Sequence, residues 1–304
     1  MSDFFNSGWS LYIAIVTILG LVGCLTLLIV AARRRAMSTD NTTGHVWDED
    51  LRELNNPLPR WWMWLFVLTI LFAGVYLAFY PGLGSMPGKL GWSSVSQYQD
   101  EQAKANAAVA PLYAAFAKVP AAELARNAQA MAIGERLFAN NCAGCHGADA
   151  RGSKGFPNLT DKDWLWGGTP ERIEETITNG RQGTMPPIAA AVGSAEDLHN
   201  VANYVLSLSG SPHDSIAASQ GRAKFVICSA CHGPDGKGNQ AIGAPNLTDN
   251  VWLHGWGEEA IVAMATKGKV NVMPAHGSRF TREQIHVLAS YVWSLSNTSA
   301  GSAP

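Results

Sequence analysis

The sequence predicts an all-α protein: two N-terminal membrane-spanning helices followed by two tandem copies of one helical domain. Three observations carry this. Two long stretches lack any charge, a series of motifs recurs at a nearly constant offset, and no segment shows the alternation of a half-buried strand.

The uncharged stretches come first. Trp9 to Ala32 is 24 residues without a charged side chain, and Trp61 to Tyr80 is a second run of 20. Each is long enough to cross about 30 Å of hydrocarbon as a helix. Trp9 and Tyr12 mark one interface and Trp61, Trp62 and Trp64 another, the positions an aromatic belt takes. Cys24, alone in the first run, is read as a small buried hydrophobe. The first run lacks a positive n-region and exceeds an h-region in length, so it is expected to be retained as an anchor. No Lys or Arg precedes it, whereas the connection carries Arg at positions 33, 34, 35, 52 and 60. The positive-inside rule then puts the N-terminus and everything after Tyr80 outside, in the periplasm of a bacterium. The expected segments are a periplasmic tail 1–8, spans 9–32 and 61–80, and a cytoplasmic connection 33–60. A periplasmic linker 81–125 follows, rich in Ala, Gln and Lys from residue 93.

The repeat begins after the linker. Gly134 and Phe138 precede Cys142-Ala-Gly-Cys145-His146-Gly147, and Gly221 and Phe225 precede Cys228-Ser-Ala-Cys231-His232-Gly233. "PNLTDKDW" (157–164) recurs as "PNLTDNVW" (245–252), Met185-Pro186 recurs as Met273-Pro274, and "NYVLSLSG" (203–210) recurs as "SYVWSLSN" (290–297). Ordered matches at offsets of 86 to 88 residues mean two copies of one domain, 126–210 and 211–297, before an expected disordered tail 298–304. Thr169-Pro170 predicts a helix start before 171–178, and Leu198, Val201, Ala202, Val205 and Leu208 mark one helix face over 196–208.

The chemistry lies in Cys-x-x-Cys-His. The spacing suits addition of both thiols to the two vinyl groups of a haem, with the adjacent imidazole binding the iron. Zinc would need four ligands in one site, and each copy offers two thiols and one awkwardly placed histidine. Disulfide exchange of the thioredoxin kind would need a βαβ context, which is missing. Two covalent haems c are therefore expected, held by Cys142, Cys145, Cys228 and Cys231, with His146 and His232 on the irons. Met185 and Met273 are the candidate sixth ligands; a thioether there closes the iron to oxygen and raises its potential. Ligation within each copy is the default, with each methionine reaching across to the other iron as the alternative. His254 and His276 are weaker candidates because neither has a counterpart in the first copy. His199, His213 and His286, with Met131 and Met264, are read as surface or packing residues. Gly134, Phe138, Gly221 and Phe225 are expected where helices cross, with Tyr204 and Tyr291 packed on the contact.

The membrane region adds a resemblance. "HVWDEDLRELNNPLPRWWMWLFVLTILFAGVYLAFYPGLG" (45–84) closely resembles the anchor of the dihaem subunit of cbb3-type cytochrome c oxidases, the CcoP/FixP family; "ELNNPLPRWW" and "YPGLG" are its most specific pieces. Two haem-c domains follow in the same order, and the extra helix at 9–32 is carried by only some members. The resemblance implies a non-catalytic electron-transfer subunit of the respiratory chain, anchored in the bacterial inner membrane and serving oxidative phosphorylation. Its electrons would come from a donor cytochrome c and pass through two haems and the monohaem c subunit to the haem–copper catalytic subunit. Oxygen reduction and proton pumping would belong to that subunit. Neither span here contains Asp, Glu, Lys or His, so the chain offers no proton path.

Other readings are a free-standing anchored dihaem cytochrome c serving another complex, a dihaem peroxidase, and a haem-based gas sensor. The peroxidase and the sensor both need an open iron position. The net charge of −2 and a single Arg-Arg-Arg run give no sign of nucleic-acid binding. Residues 100–210 hold 9 basic and 12 acidic side chains against 7 and 6 in 211–304, so the first copy is the better candidate to steer a basic donor.

Overall fold

A computed structural model describes residues 6–33 and 41–297. The expected tail 298–304 lies outside the described residues, as do Arg34 and Arg35 and the first five residues of the N-terminal tail. The chain divides into two compact units, before and after Ala108.

In the first unit, helix α1 (Ser7–Ala32) and helix α2 (Arg60–Phe79) are the two apolar runs, with ends within two residues of those expected. At 1.5 Å per residue they measure about 39 and 30 Å, enough to span a bilayer. Their side chains are mostly exposed in the isolated chain, as lipid-facing helices should be. The Asn6 side chain caps α1 by accepting the Trp9 N–H. After α2 the Pro-Gly segment folds back on the bundle: the Ser85 N–H donates to Ser10 Oγ at 2.7 Å, and Lys89 N–H reaches the Ala78 carbonyl.

The connection 33–60 contains an element the sequence did not announce. Strands β1 (Thr42–Trp47) and β2 (Leu51–Leu54) form an antiparallel hairpin with Trp47 opposite Leu51. Asp48 and Glu49 at the turn both have positive φ, the conformation that matches strand twist in a tight hairpin. Strands this short carry too few residues to establish a period. The helical class nevertheless holds.

Helix α3 (Ser94–Phe116) leads into the second unit, which consists of α4 (Ala121–Leu124), α5 (Ala128–Asn141), α6 (Ala143–His146), α7 (Pro170–Asn179), β3 (Arg181–Met185), α8 (Ala189–Val192), α9 (Ala195–Leu208), α10 (Ser215–Gly221), α11 (Val226–His232), α12 (Glu258–Lys267), β4 (Lys269–Met273) and α13 (Arg282–Asn297). Caps explain the starts. Thr169 caps α7 ahead of Pro170, Ser194 and Asp197 form a reciprocal capping box on α9, and Asp214 accepts two N–H groups of α10.

The packing of these helices crosses the sequence repeat. Helix α13, the end of the second copy, packs on α5 and α7 of the first and on α4 just before it; α9, the end of the first copy, packs on α10 and α12 of the second. Two lobes result, each built from both copies. The first lobe buries Phe138, Ile173 and Ile177 against Ile285, Leu288 and Val292. The second buries Val201 and Val205 against Phe225, with Leu247, Trp252 and Ile261 around them. Strands β3 and β4 pair antiparallel between the copies, Arg181 opposite Met273 and Met185 opposite Lys269.

The helix crossings use the expected residues, exchanged between copies. Phe138 meets Tyr291 at 5.7 Å between ring centroids, and Phe225 meets Tyr204 at 5.2 Å. A Cβ at Gly134 would lie 2.5 Å from Cβ of Tyr291, so only glycine permits this approach. Phe138 is 1% exposed. Phe138→Ala is expected to cost the first lobe about 3–5 kcal/mol. Thermal unfolding followed through the absorption of the haem-loaded protein measures it, and an unchanged transition would remove Phe138 from the core account.

Candidate metal centres

Both Cys-x-x-Cys-His segments occupy the same local structure. Cys142 ends α5, its N–H bonded to the Phe138 carbonyl at 2.7 Å, and one turn of helix carries Cys145 and His146. In the second copy α11 does the same work. Gly147 and Gly233 follow each histidine at φ +80° and +82°, a left-handed stop open to glycine at little cost. The histidine carbonyls then accept N–H bonds from Gly152 and Gly238, both at 2.7 Å.

His146 and His232 are 8% and 7% exposed. His146 Nδ1 donates to the Pro157 carbonyl at 3.1 Å, and His232 Nδ1 donates to the Pro245 carbonyl at 2.9 Å. A carbonyl oxygen can only accept, so the proton resides on Nδ1 and Nε2 keeps its lone pair for a metal. Burial lowers both imidazole pKa values, an effect the carbonyl bond partly offsets, so the neutral ring is the form present. The proline carbonyls are themselves held by the matched turns that follow. Asn158 Oδ1 accepts the Thr160 N–H and hydroxyl, and Asn246 does the same for Thr248.

The thiols are all free, with Cys142 and Cys228 half-buried and Cys145 and Cys231 exposed. Burial, helped by the neighbouring Cys145, pushes the Cys142 thiol up to about 11, and burial raises Cys228 as well. A thiol kept protonated is a slow exchange nucleophile. Paired thiols beside a neutral, oriented imidazole suit covalent haem attachment.

The methionines sit at the ends of β3 and β4, and their loops exchange lobes. Met273 packs against the core that contains Phe138, with Cys142 on the same cluster. The loop after it is pinned to α7: His276 and Gly277 N–H groups donate to the Ile177 and Thr178 carbonyls. Met185 leads instead to Ile188, whose N–H donates to the Ala265 carbonyl of α12 and whose side chain joins the core containing Phe225 and Cys228. Each methionine thus lies on the lobe of the other copy's histidine.

The remaining histidines have other partners. His254 bonds the Asn271 amide at 2.7 Å, His199 Nδ1 donates to Glu258, and His213 Nδ1 donates to the Ser211 carbonyl. His286 donates from Nε2 to the Val119 carbonyl at 2.8 Å and pairs through Nδ1 with Glu174 at 2.6 Å, tying α13 to α7 and to the segment before α4. His276 stacks on Phe280. Met131 packs beside Ala130 and Val287.

Among the described residues, three buried side-chain nitrogens lack a hydrogen-bond partner: Arg181 Nη2, Trp252 Nε1 and His276 Nδ1. An unpaired buried donor costs about 1–3 kcal/mol. All three lie on the elements that bear or face the histidine and methionine ligands. A haem brings two propionate carboxylates, acceptors of the kind these nitrogens need, so the donor set fits the group. Sequence reasoning passed over Arg181 and Trp252. Trp252 was visible as the twin of Trp164 at the 88-residue offset, whereas nothing in the repeat marked Arg181 beyond its faint correspondence with Lys269.

The family model for the N-terminal domain of cytochrome oxidase-cbb3, FixP, matches residues 39–87, and that for cytochrome c oxidase, cbb3-type, subunit III matches 129–205 and again 217–292. The chain is 65% identical over 303 residues to the cbb3-type cytochrome c oxidase subunit CcoP of Rubrivivax gelatinosus, covering the full length of both. It is 43% identical over 273 residues to the corresponding subunit FixP of Azorhizobium caulinodans, covering 84% of this chain and 92% of that one. Against CcoP of Cereibacter sphaeroides it is 37% identical, covering 84% and 94%. With anchor, repeat and both Cys-x-x-Cys-His sites accounted for, the chain belongs to the CcoP/FixP family of cbb3-type cytochrome c oxidase subunits.

Proposed function

We propose that this chain is the electron-transfer subunit of a cbb3-type haem–copper oxidase. It takes single electrons from a donor cytochrome c and delivers them, through the monohaem c subunit, towards the haem–copper catalytic subunit. Oxygen reduction and proton pumping belong to that subunit. The carrying observation is that each buried, Nδ1-anchored histidine shares its lobe with a methionine loop.

Two covalent haems c, on Cys142, Cys145 and His146 and on Cys228, Cys231 and His232, supply one-electron iron chemistry when bound. The chain's own residues do the rest. Pro157 and Pro245 orient the imidazoles, the helix crossings would exclude water, and the thioethers of Met185 and Met273 would close the sixth positions. The exchanged packing supports crossed ligation, with Met273 for the iron on His146 and Met185 for the iron on His232. Closed irons argue against the peroxidase and sensor readings.

The two long apolar helices support a place in a bacterial inner membrane. The Arg distribution supports a periplasmic N-terminus and periplasmic haem domains formed from repeats 126–210 and 211–297. The acidic first repeat favours a basic donor, so donor oxidation should slow as salt rises.

Mild-detergent purification with haem quantification and subunit identification tests the reading. Two covalent haems per chain and co-purification with a haem–copper subunit are expected. A chain that ran alone, or that reduced peroxide rapidly by itself, would overturn it.

A further inference from the structure

Arg181 is held on several sides yet leaves one nitrogen without a partner. It opens β3, directly opposite Met273 across the ribbon. Its Nε donates to Thr176 Oγ1 at 2.9 Å and its Nη1 to Glu175 at 2.9 Å, both at the end of α7. The guanidinium lies over the Trp166 ring, 5.2 Å from the centroid, and the side chain is 16% exposed. Nη2, with two N–H groups, is buried and unpaired. The arrangement fixes three sides of the fork and points the fourth at nothing in the chain. Its twin in the repeat, Lys269, is exposed and lies opposite Met185. The two methionine sites therefore differ: one lies opposite a partly buried, ion-paired arginine with a buried free Nη2, and the other opposite a solvated lysine.

We propose that Arg181 anchors a propionate of the haem carried on His146 through Nη2 and sets that haem's potential above its partner's. This rests on the reading above that a haem is attached there with Met273 on its iron. A guanidinium offers donors in a rigid fork that matches a carboxylate. Ferric haem carries one more positive charge than ferrous haem, so a nearby cation disfavours the ferric form, and low-dielectric surroundings magnify the effect. Lys269, out in solvent, exerts a screened version of the same influence. Arg181 acts through its charge and its hydrogen bond, as a positioning residue, and electrons do not pass onto it.

The test is a potentiometric titration of both haems in the full chain, haem-loaded and in detergent. Met273→Ala first identifies which of the two redox components belongs to the iron it ligates. Arg181→Gln is expected to shift the ferrous-to-ferric ratio of that same component tenfold towards ferric at fixed potential, about 59 mV for one electron. The other component stays in place. Arg181→Lys, which keeps charge but loses the fork, is expected to shift it about threefold, and it carries the test should the Gln variant fail to fold. Glu175→Gln breaks the same ion pair and so mimics any purely structural loss, yet it removes a negative charge and should leave the midpoint unchanged or raised. Unmoved midpoints in Arg181→Gln, a shift confined to the other haem, or a fall in Glu175→Gln equal to that in Arg181→Gln would each overturn the proposal. If Met273→Ala disturbs only the haem on His232, or neither haem, the ligation reading fails instead, and the proposal falls with it by a separately visible route.

Discussion

Met273→Ala is expected to open the iron held by His146 and leave the iron held by His232 six-coordinate. Met185→Ala should do the reverse. The basis is the exchange of loops: Met273 packs with Phe138 and Cys142, while the residues after Met185 pack with Phe225 and Cys228. Loss of a thioether removes a ligand that favours the ferrous state, and axial-ligand identity spans about 0.8 V in haem proteins. A fall on the order of 0.1 V in one component is expected, with a high-spin spectrum and new carbon monoxide binding at that iron. Assignment comes from combination. A variant with Cys142→Ser and Cys145→Ser lacks the first haem, so adding Met273→Ala should change nothing further, whereas adding Met185→Ala should open the remaining iron. The opposite pattern would mean that each copy ligates its own haem.

Gly221→Ala is expected to destabilise the second lobe more than any other single methyl addition considered. A Cβ there would be driven into the backbone carbonyl of Asn200 on α9, and backbone cannot rotate away as a side chain can. Overpacking of this kind costs about 3 kcal/mol or more. For a unit of roughly 190 residues that means a transition lowered by about 6–12 °C. Gly134→Ala should cost less, because its closest approach is 2.5 Å to one side-chain Cβ of Tyr291 rather than into the backbone of α9. Gly144→Ala, between the first pair of thiols, meets nothing within 4 Å and serves as the neutral control. Equal transitions for Gly221→Ala and Gly144→Ala would show that α9 and α10 are not tightly packed.

The parts of this architecture that were legible share a cause. Spans, capped helices and Cys-x-x-Cys-His sites are decided by residues close together, such as Thr169-Pro170 before α7 or the unbroken apolar run of α1. The exchange of helices was not legible, because the repeat is nearly symmetric. "NYVLSLSG" in α9 and "SYVWSLSN" in α13 present the same apolar spacing, so either helix satisfies either Gly-x-x-x-Phe crossing. A choice between equivalent partners depends on the geometry of the connecting loops, which a periodicity cannot express. The β1–β2 hairpin escaped for want of length. Arg181 escaped because a lone arginine before a methionine loop looks like any solvated charge until its Nη2 is found buried.

The crossing of α13 onto α5 also has a consequence in time. Synthesis runs from the N-terminus, so the segment with Cys142, Cys145 and His146 emerges well before the helix that covers it. The second lobe draws α9 from earlier sequence and needs nothing beyond β4. The first lobe waits for Arg282–Asn297, almost the last residues described. The site made first is therefore the last to be sealed, and its thiols stay uncovered by α13 until almost the end of the chain has been made.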